Sequence, residues 1–229
     1  MIVSIDTSTD TASVSLSRDG VVLQVMENDS QKDHAAWIQV AIAALLQQQG
    51  VDTKDITAVA VAEGPGSYTG LRVAMATAKG LCFALQIPLI TVSTLKIMAY
   101  AARAQWLPSL GEVKQPVRLC PMIDARRMEV FTAVYNEALE VVAPAAAVIL
   151  DEHSFKEALN NGSLVCFGNG SNKWKNIIRH PNLIFIDERP DMAKALAKLA
   201  TDLYLSADFA DLAYAEPAYL KEFYSYMKK

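Results

Sequence analysis

The stretch from Leu71 to Leu85, LRVAMATAKGLCFAL, constrains the fold more than any other. Its only charged residues are Arg72 and Lys79, seven positions apart with Gln86 next in phase, so a helix here has one narrow polar stripe. Val, Met, Leu, Phe and Cys fill the rest, with Ala74, Ala76, Ala78, Gly80 and Ala84 as small residues that permit close approach of another helix. Residues 34–49 repeat the problem, with Trp37, Ile38, Val40, Ala41, Ile42, Leu45 and Leu46 spread over more than one face. A helix lying on one sheet normally keeps a wet side. Two helices this apolar need a second burial surface, within the chain or on a partner.

The helix follows a turn of unusual composition. Gly64-Pro65-Gly66-Ser67-Tyr68-Thr69-Gly70 links a strand over 56–62 to a helix over 70–86. Strand, glycine-rich turn and helix N-terminus together can hold an anion. The spacing is neither a Walker motif, since no G-K-[ST] follows, nor G-x-G-x-x-G. Close packing of the helix on the sheet explains the same glycines equally well.

Around this segment the order of elements is that of an α/β protein. Met1–Asp6 reads as a buried strand, and Thr11 to Arg18 alternates with period two. Asp19-Gly20 makes a hairpin turn into a third strand over Val21–Met26. Pro88–Val92 is a strand, a helix runs from Ser93 to Gln105, and the Pro- and Gly-containing segment 106–116 reads as a linker. Beyond it "MID" at Asp124 repeats the opening "SID" at Asp6, each followed by an alternating run. A turn near Asn136–Glu137, another strand, a helix over Glu152–Leu159, a strand over Leu164–Phe167, Gly168-Asn169-Gly170 and a further helix complete a second copy. Two copies of βββαβα predict a duplicated, two-lobed, actin-like α/β fold. Residues 1–105 form the first lobe, 106–215 the second, and 216–229 a tail that packs back on the first.

In folds of that type a nucleotide lies between the lobes. Asp6 and Thr7, Gly64, Gly66 and Ser67, and Asp124 occupy the positions that would approach it, although aspartate at a strand end is also ordinary turn chemistry. No chemistry accompanies the cradle. His34, His153 and His180 are not at metal-ligand spacing from one another or from a cysteine, and G-x-S-x-G is absent. His34 follows Asp33 at a helix start, where a capping or surface role suits it, and His180 precedes a proline in a loop. Cys82, Cys120 and Cys166 lie in apolar runs, as buried thiols of a reducing compartment do. A net charge of −4 gives no global positive field for nucleic acid. No apolar run reaches the ~18 residues of a membrane span. The N-terminus meets Asp6 without a basic segment, so no signal peptide and a cytoplasmic location are expected.

Taken together, "IVSIDTSTDTASVSL", "EGPGSYTGLRVAMATAKGLCFAL", "PLITVSTL", "IDARRMEVFTAVY" and "EPAYL" resemble the bacterial TsaB family, also called YeaZ, densely in the first half and at intervals in the second. The resemblance implies a non-catalytic subunit that pairs with its metal-bearing sister TsaD and the P-loop ATPase TsaE. That assembly transfers a threonylcarbamoyl group from its adenylate to the adenosine beside the anticodon, so tRNA is met through the complex. Where TsaD carries the two metal-binding histidines of V-N-H-L-E-G-H, this sequence has Thr94 and Met98. The resemblance also implies a homodimer when the chain is alone. Pairing, with itself or with TsaD, would use the two apolar helices through Trp37, Ile38, Ala41, Leu45, Arg72, Val73, Ala76, Lys79 and Gly80. No intrinsic cofactor is expected, and ATP or ADP only as shared with the sister subunit. Tyr68 stands where phenylalanine is common, and Lys221 where many members have arginine. The competing reading is a stand-alone nucleotide-binding phosphotransferase or ATP hydrolase using Asp6. A peptidase reading finds no nucleophile–base pair or metal set.

Overall fold

The computed structural model describes residues 1–29 and 34–221. Asp33 and residues 222–229 of the tail lie outside that range. The first half of the chain forms β1 (Ile2–Asp6), β2 (Ala12–Arg18), β3 (Val21–Asn28), α1 (His34–Gln49), β4 (Ala58–Gly64), α2 (Tyr68–Leu85), β5 (Leu89–Ser93) and α3 (Thr94–Gln105). The second half forms β6 (Val117–Asp124), β7 (Glu129–Asn136), β8 (Val141–Ile149), α4 (Lys156–Asn160), β9 (Ser163–Phe167), α5 (Ser171–Lys175), β10 (Leu183–Ile186) and α6 (Met192–Leu205).

Each half builds a five-stranded mixed sheet, ordered β3-β2-β1-β4-β5 in the first and β8-β7-β6-β9-β10 in the second. In both, the first three strands form antiparallel pairs and the last two join the first in parallel. This is the duplicated actin-like fold. The repeating unit is one strand and one helix longer than βββαβα, because β10 and α6 answer β5 and α3. Helix α4 is shorter than the expected 152–159. Asp151 accepts hydrogen bonds from the His153 amide and the Ser154 hydroxyl, and Phe155 is left-handed at φ 56, so the chain turns before the helix starts.

Side-chain alternation divides the first sheet into two unlike faces. Val3, Ile5, Val14, Leu16, Val59 and Val61 point toward α1 and α2. The opposite face is rich in small residues: Ala58, Ala60 and Ala62 on β4, with buried Ser4 on β1 and Ser13, Ser15 and Ser17 on β2, beside the larger Ile2, Ile90 and Val92. Helix α6 lies across that face in contact with all five strands, presenting Ala195, Leu196, Leu199 and Ala200. Small residues on both partners bring the helix close to the sheet. Helix α3 packs between α6 and strands β6 and β7, so one core runs through both sheets. The linker is anchored as well: Trp106 packs edge-on against Phe167 at 5.3 Å, and its indole N–H donates to Glu188 at 3.1 Å. All three cysteines are buried free thiols. Among the described residues no helix is long and apolar enough to cross a membrane.

Candidate functional site

Strand β4 runs two residues beyond the expected 62, and α2 begins two residues before the expected 70. Ser67 is the N-cap, its hydroxyl accepting the Gly70 amide at 3.3 Å. The loop between them is joined to the turn after β1. The Ser67 amide donates to the Ser8 carbonyl at 2.8 Å, and the Thr7 hydroxyl donates to the Gly70 carbonyl at 2.7 Å. A Cβ on Gly66 would lie 2.1 Å from the Ser8 oxygen, and one on Gly70 2.2 Å from the Thr7 oxygen. The glycines therefore let two backbones touch. The Ser67 amide, which a phosphate would use, already has its acceptor.

Asp6, Thr7 and Gly64 are accordingly enclosed and line no open cradle. Asp6 is 2% exposed, and one of its oxygens accepts the Ser8 amide at 2.9 Å and the Ser8 hydroxyl at 2.6 Å. Burial pushes its carboxyl above the ordinary range, outweighing those two bonds and the attraction of Arg189. Thr7 is fully covered. Gly64, at φ +116, packs against the Ala218 carbonyl of the tail. Gly66 is half-buried, and only Ser67 and Asp124 of the six candidates are exposed.

Asp124 pairs with Lys173 at 2.7 Å. Partial burial works against its charge, but the Lys173 ammonium and the Arg126 amide prevail and hold its pKa below the usual range. Its own amide donates to Asn169 at 2.9 Å, and Asn169 donates to Asp10 at 3.2 Å. Asn169 thus bridges the turns of the two lobes, a role its place in "GNG" did not announce. Arg189 adds a second bridge, donating to Thr11 at 2.7 Å and Glu27 at 2.8 Å. Nothing in the local sequence marked it.

The apolar helices resolve into two stripes each. On α1, Ile38, Ala41, Ile42, Leu45 and Leu46 recur at helical spacing and enter the core, as Leu71, Ala74, Met75, Ala78 and Cys82 do on α2. Ile38, Ala41 and Leu45 are therefore not available to a partner. Trp37 and Val73 are partly buried against the same core. Lys79 is turned to the segment just before the tail, its ammonium donating to the carbonyls of Ala213 and Ala215 at 3.1 and 2.9 Å. Of the nine residues expected to face a partner, Arg72, Ala76 and Gly80 are exposed.

Their neighbours on the surface are Val40, 68% exposed, Phe83, 72% exposed, and Ala43, which the sequence reading did not assign to this face. A groove of about 450 Å³ lies between α1 and α2, lined by Gln39, Ile42, Ala43, Leu46, Ala76 and Gly80. The helix does have a wet side, but beyond Arg72 that side is built of alanine, glycine and phenylalanine. The tail and the segment before it hold to both lobes. Ala210 bridges to Leu89, the Ala218 amide donates to the Glu63 carbonyl at 2.7 Å, and Lys221 crosses to Glu129 of the second lobe at 2.7 Å.

The sequence profile of the TsaD family, described as tRNA N6-adenosine threonylcarbamoyltransferase, matches residues 20–218. The Escherichia coli K12 protein named tRNA threonylcarbamoyladenosine biosynthesis protein TsaB is 30% identical over 227 residues, covering 96% of this chain and 94% of the relative. The chain belongs to the TsaB family. The Bacillus subtilis TsaB protein is 34% identical over 152 residues, 65% of this chain and 62% of that one. The solved structure of YeaZ from Pseudomonas aeruginosa superposes with a TM-score of 0.76 at 25% identity, over 96% of this chain and 99% of the other. Membership of TsaB gives Thr94 and Met98 their interest. Both are buried one turn apart at the start of α3, and the Met98 methyl packs under Gly168, where a Cβ would come within 2.6 Å of it. Among the described residues no group of three or more His, Cys, Asp or Glu side chains is arranged to hold a metal ion.

Proposed function

We propose that this chain is the non-catalytic subunit of a tRNA N6-threonylcarbamoyladenosine transferase, acting in the cytoplasm. It docks on the metal-bearing sister TsaD and works with the ATPase TsaE, and tRNA reaches it through the complex. The observation that carries this reading is the α1–α2 surface, where Val40, Ala43, Ala76, Gly80 and Phe83 stand exposed with almost no charge on a chain similar to TsaB over nearly its full length. Such a face is costly in water and is stabilised when a second helix pair covers it. In isolation the same face serves a homodimer.

No cofactor is assigned to the chain itself. The enclosure of Asp6, Thr7 and Gly64 supports that assignment, and it counts against a stand-alone phosphotransferase or ATP hydrolase built on Asp6. ATP or ADP belongs, on this reading, to the joint with the sister subunit. The test is an omission experiment. Modification is reconstituted from threonine, bicarbonate, ATP, the adenylate-forming enzyme, TsaD, TsaE and tRNA, with and without this chain. Product is expected only when the chain is present, and the chain is expected to co-elute with TsaD. Equal product without it would overturn the proposal.

A further inference from the structure

A second surface lies where the two lobes meet the tail. The hairpin between β6 and β7 turns through Arg126 and Arg127, which both hold left-handed backbone at φ 71 and 46. Positive φ suits asparagine or glycine, and arginine is strained at two such positions in succession. Both side chains are exposed, and among the described residues neither guanidinium has a hydrogen-bond or ion-pair partner. Strain retained without any packing return points to a use for the side chains themselves.

The groups beside them suit an anion. The carboxylates at both ends of the turn are already neutralised, Asp124 by Lys173 at 2.7 Å and Glu129 by Lys221 at 2.7 Å. Two residues before Lys221, the Tyr219 ring lies 5.2 Å from that of Tyr68 at a tilt of 34°. Arg72 lies 5.3 Å from the Tyr68 ring and donates to its hydroxyl at 2.5 Å. As residues, Tyr68 is 38% and Tyr219 45% exposed. Glu216 is the carboxylate that faces Tyr219 from the tail. Arg72 stands at the N-terminal rim of the α1–α2 face, so the strip flanks the docking surface and does not fill it.

Guanidinium forks match phosphodiester oxygens, and an exposed aromatic pair accepts the face of any base. An acidic peptide would use the first feature and leave the second idle. We propose that Arg126, Arg127 and Arg72, together with the Tyr68–Tyr219 ring pair, form a binding strip for single-stranded RNA. In it a base stacks on the rings and neighbouring phosphates lie on the guanidiniums. The choice of RNA among polyanions rests on the reading of the chain as a tRNA-modification subunit.

The test is fluorescence anisotropy of the full-length chain with a fluorescein-labelled anticodon-arm hairpin RNA, from a tRNA reading codons that begin with A, over a salt series. Binding is expected in the range of about 1–100 μM at low salt. The double variant Arg126→Asn, Arg127→Gly should weaken binding at least ~10-fold and reduce the slope of log Kd against log salt by roughly 1.4–2. The same variant should melt higher than the wild type, because Asn-Gly relieves the strained turn. A merely structural role would move stability and binding together. Tyr219→Ala should weaken binding with the salt slope unchanged. Wild-type affinity in the double variant, no binding by the wild type up to about 100 μM, or equal displacement of RNA by polyglutamate would each overturn the strip. The omission assay separates this inference from the reading on which it rests. If the chain is required for product while RNA binding ignores these residues, the strip falls alone. If the chain is dispensable while RNA binding follows them, the subunit reading falls alone.

Discussion

Replacing Gly66 by alanine asks whether the glycine loop serves backbone packing or phosphate binding. The new Cβ would sit 2.1 Å from the Ser8 carbonyl oxygen, whereas carbon and oxygen ordinarily meet at roughly 3.3 Å. The loop and the turn must therefore separate by about an ångström. That carbonyl accepts the Ser67 amide at 2.8 Å, and the same residue supplies both donors to Asp6. Overpacking costs about 1–3 kcal/mol and a broken buried hydrogen bond about 1–3 kcal/mol. The alanine returns about 0.4–1 kcal/mol through the unfolded chain. The net is a loss of about 3 kcal/mol, or roughly 6–12 °C in Tm for a chain of this size. Thermal and urea denaturation followed by circular dichroism would read it. Gly80→Ala is the control: nothing lies within 4 Å of its Cβ position, so it should gain about 0.5–1 kcal/mol. A Gly66→Ala protein as stable as the wild type would refute the packing argument. Normal folding with lost nucleotide binding would restore the phosphate cradle.

Two further substitutions separate surface from interior. Ala76→Glu places a charge on the exposed stripe of α2, and it should fold within ~0.5 kcal/mol of the wild type while losing self-association and TsaD binding by at least ~100-fold. Sedimentation and co-elution would check both, and an unchanged complex would sink the interface assignment. Ala78→Glu, at a fully buried position, should instead fail to fold stably and reports nothing about pairing. Asp6→Asn tests the buried carboxyl. Because burial raises its pKa in the folded state, the folded chain binds the extra proton more readily than the unfolded one. The wild type should therefore gain stability relative to Asp6→Asn as pH falls from neutrality through the raised value toward the unfolded value near ~4. At pH 7 the asparagine variant should be as stable or more so. A wild type that loses ground to the variant on acidification would contradict this, since it would mean an ionised, paired Asp6.

Much of this molecule is written in local sequence. Period-two alternation in the opening strands, Asp-Gly at the first hairpin and the glycine loop before a helix each fix a local geometry that survives in the tertiary structure. Two rounds of them were enough for a duplicated α/β fold, and the letters of the opening strand, the glycine segment and the three later segments together were enough for TsaB. The outward face of the dry helices was not legible, because periodicity marks a face only when polar residues contrast with apolar ones. Ile38, Ala41 and Leu45 went inward, while Val40, Ala43 and Phe83, no more polar, stayed outside.

Contacts between distant segments were beyond local reading for the same reason. An alanine-rich helix near the end of the chain meets serines and alanines of the first sheet only once both sheets exist. Arg126 and Arg127 carry no glycine to betray their left-handed turn. Asp6 shows most plainly where sequence stops. A carboxylate at a strand end looks the same whether it faces a cleft or the interior. It is enclosed here because Ser67 and Gly70, some sixty residues away, bring their backbone against Ser8 and Thr7 and shut water out.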